Sequence, residues 1–535
     1  MDYNFSNPLV CSGLFLHRIY IAHTEIQSGR QDNRPVLRNQ KILGARYRFF
    51  QNPFPGYLSR GNGSIASVGF PCRTNLHCGH HRFAEIKRNK FLKTVYSWIK
   101  TDAVPFRRLL NLVVFLPCLL WSQDNGTVAY GRAVIDSLSS GAFAGRGYVD
   151  NGMRKSANFI AHEFEKIGLD KLGNSYFQEF TMPINILKNA ELTVNGKDLK
   201  YGTDFLVKPS SKSQSFHAKE VYTFFPENFA AALHSEPELI DFIQKDFSAQ
   251  KGKHIVFPPH QFEVDSINQY YKHWPNFYMA EENRGRAIFY FTDEKLTASL
   301  SQIQDSISEF IIHAKHYSKD LNISNYTIES KFIKDYNATN VIGQIEGGQT
   351  DSLIVITAHY DHLGKVGNVY FPGASDNASG TAFLLSLAKY FSENKPKHTL
   401  VFIAFGAEEA GLVGSRYFVA HPLFDLNKVK LLLNFDIMGA GEDGIQVVNS
   451  TVFTKEYELL NRINTEKNYL KQIKKRGEAC NSDHCPFYER GIPSFFIYTL
   501  GGPGHYHDVW DTSDSLSLAE FEDLQRLFID FINRL

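Results

Sequence analysis

Four apolar runs decide most of what this chain can fold into. They are Leu353–Ala358 (LIVITA), Thr399–Phe405 (TLVFIAF), Lys430–Phe435 (KLLLNF) and Ser494–Thr499 (SFFIYT). None alternates apolar with polar residues, as a strand with one wet face would, so each predicts a strand buried on both faces. Helical stretches accompany them at Ser379–Ser392 and at the amphipathic Ser517–Leu535. Buried strands alternating with helices predict an α/β fold. The expected form is a three-layer α/β/α arrangement around a central, largely parallel (mixed) sheet.

A single core does not extend over 535 residues, so two to four units are expected. An aromatic share of 14% favours packed cores over disorder. Residues 123–199 read as the first part of the main domain. Within them Asn151–Gly168 has apolar residues at helical spacing, with Gly168 as the C-terminal cap. Residues 200–335 are less regular. Strand-like runs at Lys253–Phe257 and Ala287–Phe291, and a helical run around Leu300–His316, suggest an inserted smaller domain. Residues 336–535 form the main part.

The N-terminal portion has a different character. Residues 1–103 carry 15 Lys/Arg against 5 Asp/Glu, whereas residues 123–535 carry 40 against 51. A main body with that acidic excess is a poor nucleic-acid binder. Residues 104–122 read as a signal peptide: Arg107 and Arg108, the apolar run Leu109–Leu120, then a return to polar sequence. The run is too short for a comfortable membrane span, so the mature form is expected to be exported, periplasmic or secreted, without a stable span. A signal peptide does not belong a hundred residues into a chain. Residues 1–103, with no Met after Met1, therefore read as a doubtful extension from a start set too early. Cys72, His77, Cys78, His80 and His81 match no common zinc spacing. Cys480 and Cys485, five apart in an exported protein, suit one small disulfide.

The polar residues that follow the apolar runs carry the chemistry. His359 follows the first run, Glu408 and Glu409 the second, and Asp436 the third. His505 and His507 lie beyond the fourth, and Asp376 lies in the turn Gly373–Gly380 (GASDNASG). Singly, each has an ordinary explanation: a satisfied polar residue, a solvated loop carboxylate, a turn former. Jointly they would converge, because open α/β sheets place ligands at the carboxyl ends of their strands. Asp361, two residues after His359, is placed to accept the second ring N–H of that histidine.

These blocks resemble a known family. His359-Tyr360-Asp361-His362-Leu363-Gly364, Gly373–Gly380, Ala407–Ser415, Asn434–Gly439 and the frame from His507 to Asp511-Thr512 are similar to the co-catalytic di-zinc exopeptidases. That family includes secreted bacterial aminopeptidases, glutamate carboxypeptidases and glutaminyl cyclases. The resemblance implies two Zn2+ ions bridged by Asp376. One would be held further by His359 and Asp436, the other by Glu409 and His507. It also implies Glu408 as general base, Asp361 as a supporting catalytic residue, and peptide substrates. His507 is preferred to His505 because the family frame begins there. Asp483 and His484 would be wall residues. The alternatives are glutaminyl cyclisation or carboxypeptidase action on acidic substrates, and a metal-free binding module. The complete ligand set disfavours the module, and it disfavours the cyclase, whose relatives work with a single zinc. The family's disulfide cannot be transferred, because Cys480 and Cys485 flank the Ser-Asp-His block.

Overall fold

The computed structural model describes residues 126–217, 221–224, 226, 253–260, 268, 271–272 and 287–535. The expected extension 1–103 and signal peptide 104–122 lie outside them.

Helix α1 (Gly126–Leu138) is followed by α2 (Gly152–Ile167). Gly168 closes α2 at φ +87°, donating its N–H to Phe164 O and Glu165 O as the spacing predicts. Strand β1 (Phe177–Val194) leads to a separate five-stranded sheet. Its strands are β2 (Phe205–Val207), β3 (Val221–Thr223), β4 (His254–Phe257), β5 (Ala287–Thr292) and β6 (Ser308–His313). They run in the order β2-β6-β5-β4-β3.

The expected helical run around Leu300–His316 is corrected here. Residues 308–313 form β6, pairing in parallel with β5. Phe310 and Ile312 are buried in the core of the small sheet, and aromatic and β-branched residues suit this pairing better than a helix. Only the short turn Ala314–His316 is helical.

Strand β7 (Ile323–Ile345) returns to the large sheet and pairs antiparallel with β1 along most of its length. There follow β8 (Gln349–His359), α3 (Gly380–Glu393), β9 (His398–Phe405), α4 (Val413–Ala420) and β10 (Val429–Phe435). Last come β11 (Ile445–Val448), α5 (Thr454–Lys467), β12 (Ile473–Lys475), β13 (Ser494–Thr499) and α6 (Phe521–Arg534). The main order is β12-β11-β13-β10-β8-β9-β7-β1. The four central strands, β13, β10, β8 and β9, are parallel. Antiparallel pairs flank them, so the sheet is mixed.

Both faces are covered. Ile354, Ile356, Phe402 and Leu433 pack against α1, α2, α3 and α6, while Val355, Val401, Ile403 and Leu432 pack against α4 and Phe487. That two-sided burial is why the runs are apolar throughout. Each such side chain contributes about 1.5–3 kcal/mol when fully buried.

Candidate active site

Parallel strands end at one edge, and the polar residues after them meet there. His359 is the last residue of β8, and Asp436 immediately follows β10. Glu408 and Glu409 lie just past β9, and His507 lies in the loop after β13. Asp376 comes from the turn before α3. Gly373 opens that turn at φ +57°, where a Cβ would stand 2.4 Å from Asp376 O and 2.6 Å from an Arg146 nitrogen. No other residue fits.

Asp376 sits between two histidines. Its Oδ1 is 3.3 Å from His359 Nε2, and its Oδ2 is 3.1 Å from His507 Nε2. His359 Nε2 also lies 3.4 Å from Asp436 Oδ1, and His507 Nε2 lies 3.0 Å from Glu409 Oε2. The structure thus brings His359, Asp376, Asp436, Glu409 and His507 together. His505 instead faces Asp508 at 3.4 Å, on the solvent side.

The surrounding groups orient these side chains. His359 Nδ1 faces the main-chain oxygen of Asp361 at 3.2 Å, while the Asp361 carboxylate stands 3.9 Å away. That carboxylate accepts the Glu408 N–H at 3.0 Å, so Asp361 links the two loops through both its groups. The expected side-chain contact is replaced by a main-chain one, because the carboxylate turns towards the Glu408 loop. Ser482 donates to Asp436 Oδ2 at 3.1 Å. Asn340, on β7, accepts from Gly406 N and donates to Gly414 O, bracketing the loop that carries Glu408 and Glu409. Asp483 and His484 are fully buried beside the site. Cys480 and Cys485 form a disulfide around the Ser482–His484 block.

Three residues had no assigned role in the sequence reading. His362 Nδ1 lies 2.7 Å from Glu409 Oε1. It groups with Asp376 and Glu409 as a possible ligand set. Its Nδ1 faces Glu409 alone, whereas His507 Nε2 faces both Glu409 and Asp376. The spacing of His359 and His362 after one strand was the available signal. Asp511 accepts from Ser375 N and Asp376 N at 2.8 and 3.0 Å. Arg146, wholly buried, donates to the carbonyls of Leu138, Tyr360, Pro372, Gly373 and Asp376. Nothing in the sequence marks it.

The cluster is electrostatically unbalanced. Burial pushes Asp361, Asp483 and Asp511 up to about 7, and Glu408 well above the carboxylate range. Burial would lower His359 and His507, but Asp436 and Glu408 around the first, and Glu409 and Asp376 around the second, hold both well above the usual range. Buried His507 Nε2, Asp436 Oδ1 and His362 Nε2 make no hydrogen bond. Imidazole nitrogens and carboxylate oxygens, buried, unpartnered and in excess of local cations, form a donor set that fits zinc.

Residues 340–532 match the model of Peptidase family M28. Aminopeptidase YwaD of Bacillus subtilis is 29% identical over 184 residues, covering 31% of this chain and 37% of that protein. Leupeptin-inactivating enzyme 1 of Streptomyces exfoliatus is 30% identical over 184 residues, covering 32% and 39%. The chain thus spans about two fifths of the length of these curated relatives. Among solved structures, BSAP, a zinc aminopeptidase from Bacillus subtilis, shares the fold at TM-score 0.54 and 22% identity, over 76% of this chain and 94% of that one. An aminopeptidase from Aneurinibacillus sp. strain AM-1 does so at TM-score 0.50 and 18% identity, over 76% and 92%. Matching motifs on a matching fold carry one conclusion: residues 340–532 have the sequence and fold of peptidase family M28.

Proposed function

We propose that the chain is a zinc-dependent aminopeptidase that removes N-terminal residues from peptides. The observation that carries this is the Asp376 carboxylate, whose two oxygens face two different histidines, each with a further carboxylate beside it. That arrangement suits two ions sharing one carboxylate. His359 and Asp436 would complete one position, and Glu409 and His507 the other. When bound, paired zinc ions supply an acidified water and positive charge for the scissile carbonyl oxygen.

The chain's own residues do the rest. Glu408 takes a proton from the attacking water and delivers it to the departing amine. Its enclosure raises its proton affinity, which favours taking that proton. Asp361 holds the Glu408 main chain and the His359 ring in one register. His362 holds Glu409.

The names of the relatives support aminopeptidase action, and the signal-like segment 104–122 supports an exported, periplasmic or secreted location. No helix among the described residues is long and apolar enough to cross a membrane. The five-stranded sheet is read as the inserted domain, protease-associated-like in its place within the chain. Metal analysis with a panel of aminoacyl, glutaminyl and acidic dipeptide substrates tests the proposal. About two zinc equivalents with aminoacyl cleavage are expected. One zinc with glutamine cyclisation would overturn it.

A further inference from the structure

The two candidate metal positions are built differently. His359 and Asp436 stand on or directly after central strands of the large sheet, and the buried core holds them. Glu409 and His507 stand on loops. The loop leading to His507 contains Gly501, Gly502 and Gly504, all at positive φ. His507 itself sits at φ +52°, a conformation that side-chain-bearing residues adopt only when their surroundings impose it. Such a loop has little of its own to fix the imidazole.

What fixes it comes from the small sheet. The segment between β5 and β6 crosses to the active-site edge. His507 Nδ1 lies 2.9 Å from Ala298 O, and Ala298 N donates to His507 O at 3.0 Å. The first contact places the ring proton on Nδ1 and leaves Nε2 free to face Asp376 and Glu409. Lys295 Nζ lies 2.6 Å from Asp508 Oδ2, and donates to Gly504 O at 3.3 Å and Tyr506 O at 3.1 Å. Lys295 thus ties both sides of His507. Four residues beyond Ala298, Gln302 Nε2 donates at 2.6 Å to the carbonyl of Ala410, the residue after Glu409. One strap therefore touches the loops of Glu409 and His507. Among the described residues, none of the strap's hydrogen bonds or ion pairs reaches His359 or Asp436.

Resting on the di-metal reading, we propose that residues 295–302 form a positioning strap that sets the zinc affinity of the Glu409–His507 position and leaves the His359–Asp436 position unaffected. Lys295 and Gln302 are positioning residues, acting through the His507 and Glu409 loops. The inserted sheet is then part of the metal centre, and a ligand that moved the strap would change the occupancy of one ion.

The test is stepwise zinc titration of the full chain against a competing chelator, for the unaltered protein and for Lys295→Met, Gln302→Met, Lys295→Arg and Lys272→Met. Partners that orient metal ligands are typically worth about 10–100-fold in affinity. In Lys295→Met one of the two zinc equivalents should weaken by about 10-fold or more while the other keeps its affinity. Gln302→Met should weaken the same equivalent. Lys295→Arg, which can still reach Asp508, should restore most of it. Lys272 pairs with Glu294 at 2.6 Å, outside the strap, and its variant should bind both ions normally. Equal affinities for Lys295→Met and the unaltered protein, or an equal loss at both positions, would overturn the strap. An unaltered protein that binds fewer than two zinc ions would instead overturn the di-metal reading, and the strap with it.

Discussion

Arg146 donates an Nη2 hydrogen bond to the main-chain oxygen of Asp376 at 3.1 Å, from a side chain with no exposed surface. The same guanidinium serves four other carbonyls, among them Tyr360 between His359 and Asp361. It thereby fixes the segments that carry His359 and Asp376 to one rigid plane. Asp511 does the complementary work, accepting the N–H groups of Ser375 and Asp376. The Asp376 turn is held from its carbonyl side by a guanidinium and from its amide side by a carboxyl group.

Arg146→Lys should therefore be damaging despite keeping the charge. An ammonium has three donors and cannot satisfy five carbonyls in a planar fork. Each buried carbonyl left unpaired costs about 1–3 kcal/mol. A loss of about 3–5 kcal/mol in urea unfolding is expected, with weaker zinc binding. A Lys variant as stable as the unaltered protein would show that the fork is dispensable.

Glu408 and Glu409 are adjacent and chemically identical, yet they face different partners. Glu409 touches His362 and His507. Glu409→Ala should lose one zinc and activity together. Glu408→Gln should keep both ions and substrate affinity while kcat falls ~10²–10⁴-fold. Metal analysis with steady-state kinetics on both variants checks this. Zinc loss in Glu408→Gln with retention in Glu409→Ala would reverse the assignment.

His484 supplies a pH dependence of stability. Burial lowers it to about 4, with Nε2 facing Ala479 O at 2.9 Å. The unfolded chain takes up this proton near 6.5 and the folded chain near 4. Between those values the unfolded state binds more protons, so stability falls as pH falls from 6.5 towards 4. The loss is on the order of 3 kcal/mol. His484→Asn should flatten this part of the profile of urea midpoint against pH. An unchanged slope would place the effect elsewhere.

The Cys480–Cys485 bridge closes a loop of sequence separation 5 around Ser482, which donates to Asp436. A loop this short restricts the unfolded chain modestly, by about 2 kcal/mol. Replacing both cysteines with Ser should lower stability by that amount and loosen zinc at the His359–Asp436 position. Calorimetry and zinc titration check the two effects separately.

The strands and most of the proposed ligands were legible in the sequence for one physical reason. Burial on both faces forces uninterrupted apolar runs such as TLVFIAF, and the first polar residues after such a run must lie at the sheet edge. His359, Glu409 and Asp436 are found that way. The strand at Ser308–His313 was not, because a short apolar run has no period that separates helix from strand, and pairing with Ala287–Thr292 decided it. Arg146 and Lys295 were illegible, and Asp511 stood in the terminal frame without a role, because their partners are mainly main-chain atoms supplied by residues as many as 230 positions away. Main-chain groups are the same in every residue, so no side-chain pattern announces them. The residue types at the site follow from the sequence alone. Which nitrogen each histidine turns inward, and what holds it there, follows only from the tertiary structure, since Ala298 reaches His507 across 209 positions of chain.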